Sequence, residues 1–516
     1  AAGEYDPLYA VDAIGRIQYV PRPFQRRLDQ FGLWVIGGVD KKRRCGVHDQ
    51  LAAFCGVVEF AGIEQIGLEQ SQGARCGLVE GFLYTLGRSA GNNFTYSAWE
   101  IEPTSGTVSV LGTGAREYLG LTGWNNAGFM FLGDCVHSTD GYLLTNYYES
   151  GVSSRAAAFS IDFSSGANAG LLTLNSNSTL NIAQLYGYFM QYDSGNFVIM
   201  HDSMAGGLPA CDTIAYLSYS NGNFGSPVYS NVDEGAGYQY YGGSVVLRGN
   251  MLYMVVTTAA GAVHILAYRV GGSGTLTLVR DIDLSATITF GGYTALRAYG
   301  NVRNNQYGVI IYDNGPATGY FFVACTLDGS GAPTLAGIEN FGGAFNTTGV
   351  GPGIPVAANG FWYVSHPSLP SNNMDRLTGF QVTPGSMTQT PGSPMTYDPV
   401  QTTNTSGNFR MGFRNQFFYT SNSGADYSFH SRVASADGSV SDPTAASNTA
   451  IHDFTNDVDQ YDHCRQGRMY VMWRVAAPLQ LFLFRATLTD GQVELYDTVP
   501  IPAVQTVHNL TAIALK

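Results

Sequence analysis

The chain has 516 residues, of which 64 are Gly, 32 Tyr and 28 Phe, and only 13% are charged; that balance argues against a helical protein and for sheets joined by tight turns. With 45% apolar residues it has ample material for a core, and its formal charge of −13 argues against a broad phosphate-binding surface, so no nucleic-acid partner is expected. No run of eighteen apolar residues occurs, which leaves no candidate for a membrane-spanning helix.

Residues 1–67 do not repeat and are expected to form an N-terminal arm or attachment segment. They carry a basic patch, Lys41, Lys42, Arg43 and Arg44, which holds two of the three lysines in the chain. A solvated loop and a contact with a neighbouring subunit both account for it. No signal peptide is visible at the start "AAGEYDPLYA". The seven cysteines are widely spaced and odd in number, as expected of small buried residues made in a reducing cell rather than of a disulfide framework.

From residue 68 to 499 one pattern recurs eight times. Its first landmark is a bulky apolar residue shortly after a Gly or Asn: Phe82, Tyr142, Phe197, Met251, Tyr307, Phe361, Phe417 and Met469, at intervals of 60, 55, 54, 56, 54, 56 and 52. The Gly or Asn accepts the positive φ that a two-residue hairpin turn imposes. A second landmark follows roughly 24 residues later, a polar turn with its own glycine: Gly106, Gly166, Gly222, Gly274, Gly331, Gly385, Gly438 and Gly491. Each unit therefore reads as strand, tight turn, strand, longer loop, strand, tight turn, strand. Four-stranded units repeated in this way predict an all-β fold, a β-propeller of eight blades, with seven as the alternative if the first unit folds differently. Stacked blades bury one another's faces, which a lone sheet cannot do.

The stretches "SAWEIEPTSGTVSVL" from Ser97, "LAYRVGGSGTLTLVRD" from Leu266 and "GFQVTPGSMTQTPGSPM" from Gly379 resemble the aromatic-x-φ-x-x-x-x-G-x-φ hairpin of lactonase-type, YVTN-like propellers. That resemblance implies a propeller fold and hydrolase chemistry. The family has seven blades as a rule, one fewer than counted here, and no motif places its catalytic residues on this chain.

Loops on a rigid scaffold carry function, so the polar residues five or six places after the first landmark are the candidate binding face: Arg88, Tyr148, Asp202, Asp313, His366 and Arg474. The segment 451–464 is rich in acids, and Asp453, Asp457, Asp459 and Asp462 stand at spacings that could converge on Ca²⁺, although the sharp-bend Gly and the terminal Glu of an EF-hand loop are missing. A solvated loop accounts for the segment more simply. "GRSAG" at residues 87–91 matches G-x-S-x-G but lies where a strand enters a loop, not on the strand-to-helix elbow that such a nucleophile needs. The tail, residues 500–516, is apolar enough to be a further strand, and either terminus could supply the strand that joins the last blade to the first.

Three functions follow as expectations. Composition and the lack of a catalytic constellation suggest a non-enzymatic structural or binding protein, with a virus particle such as a bacteriophage tail, hub or spike as its location and other virion subunits or a host surface glycan or receptor as partners. A lactonase-like hydrolase with an axial cation or acid/base site is the first alternative, for which Asp202, Asp313 and His366 are the residues to test. A secreted adhesin or sugar-binding propeller is the second. The fold alone decides among none of them.

Overall fold

The computed structural model describes residues 8–11 and 17–20, the strands and many of the turns between residues 81 and 441, and the strands between residues 463 and 515. The chain divides into two compact units, residues 1–77 and 78–516. In the first, Leu8–Val11 pairs antiparallel with Ile17–Val20. Lys41, Lys42, Arg43 and Arg44 lie outside the described residues.

The second unit is all-β, and among its described residues eight antiparallel sheets follow one another along the chain. Sheet 1 holds Gly81–Arg88, Phe94–Ile101, Val108–Val110 and Arg116–Tyr118, and sheet 2 holds Val136–His137, Tyr142–Glu149, Ser153–Ile161 and Leu172–Leu180. Sheet 3 runs from Met190–Asp193 through Asn196–His201 to Thr213–Ser220, and sheet 4 contains Met251–Thr257, Val263–Val270 and Leu276–Asp283 behind two short inner strands. Sheet 5 is Leu296–Arg303, Gln306–Asp313, Tyr320–Leu327 and Pro333–Asn340, and sheet 6 is built on Phe361–His366 and Arg376–Thr383. Sheets 7 and 8 are Asn408–Phe413, Gln416–Ser423, Asp426–Ala434 and Val440–Ser441, then His463–Gln466, Met469–Arg474, Gln480–Ala486 and Val493–Pro500.

Every first landmark of the repeat lies in the second strand of its sheet, if the two short strands of sheet 4, Gln239–Tyr241 and Val246–Arg248, which both pair with Met251–Thr257, are taken together as its first. The turns leading into these strands have the chemistry the sequence predicts. Arg303 pairs with Gln306 across Asn304 (φ 50°) and Asn305 (φ 53°), and Ala358 pairs with Phe361 across Asn359 (φ 51°) and Gly360 (φ 81°). Two successive positive φ values match the right-handed twist of the flanking strands, and Asn and Gly tolerate them best.

Where burial is described, as in sheet 4, it falls from the middle of the sheet outwards. Met251–Thr257 and Phe361–His366 are buried along their whole length, covered on both faces, whereas the outermost strand Leu276–Asp283 has no buried residue. The apolar clusters join successive sheets. Phe82 and Tyr84 pack with Leu143 and Phe159, Leu144 with Leu217, Ile214 with Met254, Tyr253 with Tyr307, Phe322 with Trp362, and Tyr363 with Ala434 and Val440. Each fully buried side chain of this kind contributes on the order of 1.5–3 kcal/mol, so the seams between sheets hold much of the hydrophobic stabilisation.

Two further strands complete the order. Thr506–Leu515 pairs antiparallel with Gly81–Arg88, so the C-terminal segment becomes the first strand of sheet 1, and it also lies against His463–Gln466 of sheet 8. Ala210–Cys211, from the connection inside sheet 3, crosses to pair with Tyr240 and Tyr241 of sheet 4. The Tyr240 hydroxyl donates to the Thr213 carbonyl at 2.6 Å and ties the two sheets together there.

Candidate functional site

Five of the six candidate binding residues occupy one topological position. Arg88, Asp313, His366 and Arg474 are each the last residue of the second strand of their sheet, and Tyr148 is the last but one of its strand. At this end the second strand turns into the third, opposite the tight turn that carries the glycine landmark. Asp202 lies outside the described residues, as do Asp453, Asp457, Asp459 and Asp462 of the proposed Ca²⁺ segment.

Of the described side chains at that position, His366 is 6% exposed. Its Nε2 lies 2.8 Å from the Thr378 hydroxyl, and its ring stacks on Phe341 of sheet 5 with centroids 4.0 Å apart. Beneath it the Tyr320 hydroxyl donates to the Ser365 carbonyl at 2.7 Å, and Phe341 in turn touches both Tyr320 and Phe380. His366 therefore belongs to the seam between sheets 5 and 6 rather than to an exposed loop mouth. A hydrophobic neighbour on one face and a hydroxyl at its edge satisfy both characters of the imidazole.

A second group stands at the same end of sheet 4. His264 Nδ1 is 2.8 Å from Asp281 Oδ1, and its Nε2 is 3.8 Å from Asp283 Oδ1, too far for a hydrogen bond. Strand geometry produces the cluster: His264 is the cross-strand partner of Asp283, and Asp281, two residues away, shares that face of the sheet. The ring of Tyr238 packs against His264 at 5.1 Å, and its hydroxyl is 3.5 Å from the other oxygen of Asp281. Ser285 holds the Asp283 carboxyl below the ordinary carboxylate range through hydrogen bonds from its hydroxyl and backbone N–H, and the neighbouring imidazole lowers it further. The side chain of His264 is 13% exposed, against 37% for Asp281 and 62% for Asp283, so the group opens to solvent on its carboxylate side. Its sequence signal is a His early in one strand facing the D-x-D of "RDID" in the next, which is visible only once the hairpin register is known.

Among the described residues no three His, Cys, Asp or Glu side chains are grouped to hold a metal ion, and no helix is long and apolar enough to cross a membrane.

No protein-family model matches the chain, and no curated protein is related to it in sequence at a significant level. Among solved structures it is similar to the periplasmic gluconolactonase PpgL of Pseudomonas aeruginosa, at 12% identity over 84% of this chain and 99% of that one, with a TM-score of 0.43. A Bacteroides fragilis protein described as a 6-phosphogluconolactonase shares 12% identity over 82% of this chain and 96% of its own, with a TM-score of 0.41. Sqt1 of Saccharomyces cerevisiae shares 9% over 72% and 84%, with a TM-score of 0.38. Likeness at this level decides neither the number of blades nor the chemistry. None of these three is described as part of a virus particle, so the expected place in a virion finds no support among them.

Proposed function

We propose that the eight sheets form one closed, eight-bladed propeller and that the protein is a hydrolase of lactonase type, its substrate held at the end where the second strands stop. Closure is supported by the sheet-to-sheet clusters and by the C-terminal strand, which pairs with sheet 1 while lying against sheet 8. The observation that carries the binding end is the shared position of Arg88, Tyr148, Asp313 and Arg474: residues of different chemistry at equivalent strand ends, as a ligand face requires. The hairpins quoted above support the lactonase type. In the one from Leu266, Tyr268 pairs with Leu278 around Gly274, whose φ is +82°.

A second reading is favoured by His366. Its ring is used in packing, which suits a non-enzymatic ring that binds a surface glycan or another subunit as an adhesin or particle component. The test is a screen of the purified chain against uncharged and phosphorylated lactones and simple esters, with and without added Ca²⁺. Turnover above the spontaneous rate supports the hydrolase. Its absence throughout, together with retention on a glycan array or co-sedimentation with particles, supports the binding ring.

A further inference from the structure

We infer that His264, oriented by Asp281, is a general base for hydrolysis of an uncharged lactone or ester on the face of sheet 4 that Tyr238 covers. This rests on the hydrolase reading and moves its acid/base chemistry from the axis, where it was expected, to the outer half of a blade. His264 lies on the third strand of sheet 4 and its carboxylates on the fourth.

The geometry meets the requirements of such a base one by one. Asp281 accepts the Nδ1 proton at 2.8 Å, which fixes the tautomer and leaves the Nε2 lone pair available. Nε2 has no hydrogen bond within the cluster, since Asp283 stands 3.8 Å away on the solvent side. Tyr238 packs on the ring and limits its rotation. The titratable groups facing the imidazole are thus Tyr238, Asp281 and Asp283, and both carboxylates stabilise the imidazolium that forms when the base takes a proton.

In the reaction a water oxygen bonds to the acyl carbon while Nε2 takes one of the water's protons, and the carbonyl π pair moves to oxygen. That pair then re-forms the carbonyl as the ring C–O bond breaks. The imidazolium returns its proton to the departing alkoxide, and lactone plus water become a hydroxy acid. Two carboxylates beside the base would repel a phosphorylated or carboxylated substrate, so the expected substrate carries no charge near its acyl group.

The experiment measures hydrolysis of an uncharged δ-lactone and its phosphorylated counterpart by the wild-type protein, H264Q, D281N and D283N, each with a thermal midpoint to establish folding. The expected result is turnover of the uncharged lactone, a loss of about 100-fold or more in kcat/KM for H264Q at unchanged midpoint, and a smaller loss for D281N in kcat rather than KM. D283N, whose carboxylate stands too far from Nε2 for a hydrogen bond, is expected to lose less than H264Q. If the wild type hydrolyses lactones and folded H264Q does so equally well, His264 is not the base, and the hydrolase reading stands without it. A preference for the phosphorylated lactone overturns the assigned substrate class, and no turnover of either lactone overturns the hydrolase reading together with the inference built on it.

Discussion

Tyr253 of sheet 4 donates its hydroxyl to the carbonyl oxygen of Gly331 in sheet 5, across 2.8 Å. The same bond recurs from Tyr363 to Gly438 at 3.0 Å and from Tyr84 to Gly170 at 3.1 Å, each joining a second strand to a turn in the next sheet. In two of these pairs the accepting residue, Gly331 or Gly438, is the second landmark itself, so there one unit's bulky second strand meets the following unit's glycine turn. Burial, with the Asp328 carboxylate adding to it, pushes the Tyr253 hydroxyl up to about 12, which keeps it a donor throughout the physiological range.

Gly331 should tolerate no side chain. Its φ is +82°, and a Cβ there would stand 2.8 Å from Met251 Cγ and 3.0 Å from the Tyr253 hydroxyl. G331A is expected to cost about 2–4 kcal/mol, from left-handed strain plus overpacking. At Gly385, where φ is +71° and nothing lies within 4 Å of the added atom, the strain alone predicts about 1 kcal/mol for G385A. Chemical denaturation of the two variants compares them directly, and equal losses would show that the seam contact does not matter.

Asp328 and Asp437 occupy corresponding turns as D-x-S. Asp328 accepts from the hydroxyl and backbone N–H of Ser330 and from the Ala332 N–H, and Asp437 accepts from the hydroxyl and N–H of Ser439. These bonds hold both carboxyls below the ordinary value of 3.8. A carboxyl whose folded pKa is depressed stabilises the fold above its unfolded pKa and loses that contribution as pH falls through the folded value. The double variant D328A/D437A should thus be less stable than wild type at pH 7, with the gap closing in acid. Urea midpoints across the pH range check this, and a gap that persists unchanged in acid would assign the loss to something other than the charge.

His366 is expected to matter to stability. H366A removes a buried ring stacked on Phe341 and leaves the Thr378 hydroxyl without the imidazole, at a cost of about 3 kcal/mol. A loss below about 1 kcal/mol, with changed ligand binding, would return His366 to the list of binding residues.

Truncation after Gln505 removes the strand that pairs with Gly81–Arg88. The truncated chain should be less stable than the full-length protein and associate through the vacant edge, and a peptide of residues 506–515 added in trans should restore the full-length protein's size. Size-exclusion chromatography with and without the peptide reads the outcome. An unchanged size with an unchanged midpoint would show that the C-terminal strand closes nothing.

The sheets were legible in the sequence because their signals are local. Asn304–Asn305 and Asn359–Gly360 announce their turns by residue type, and Gly166, Gly222, Gly274, Gly331, Gly385 and Gly438 all take the positive φ that the second landmark predicts. What local signals leave open is which surfaces meet. The tail read as a strand that could join the last blade to the first, but the N-terminal segment could equally have done so, because the partner, Gly81–Arg88, is remote in sequence from both candidates' own signals. His366 read as a loop residue since its covering ring, Phe341, comes from a different sheet. His264 passed unnoticed because its carboxylates are assembled by hairpin register and not by spacing within one segment.

The C-terminal strand also sets the order of events during synthesis. Gly81 emerges from the ribosome long before its partner Leu515, which lies beyond the whole of the repeat. Sheets 2 to 7 can stack as they are translated, in the manner of a growing repeat array, while the inner edge of sheet 1 waits unpaired. Until residues 506–515 have left the exit tunnel, that edge can be claimed by the same strand of a second nascent chain. Neighbouring ribosomes on one message would then favour exchanged pairs, and slow translation between the two strands would raise their yield.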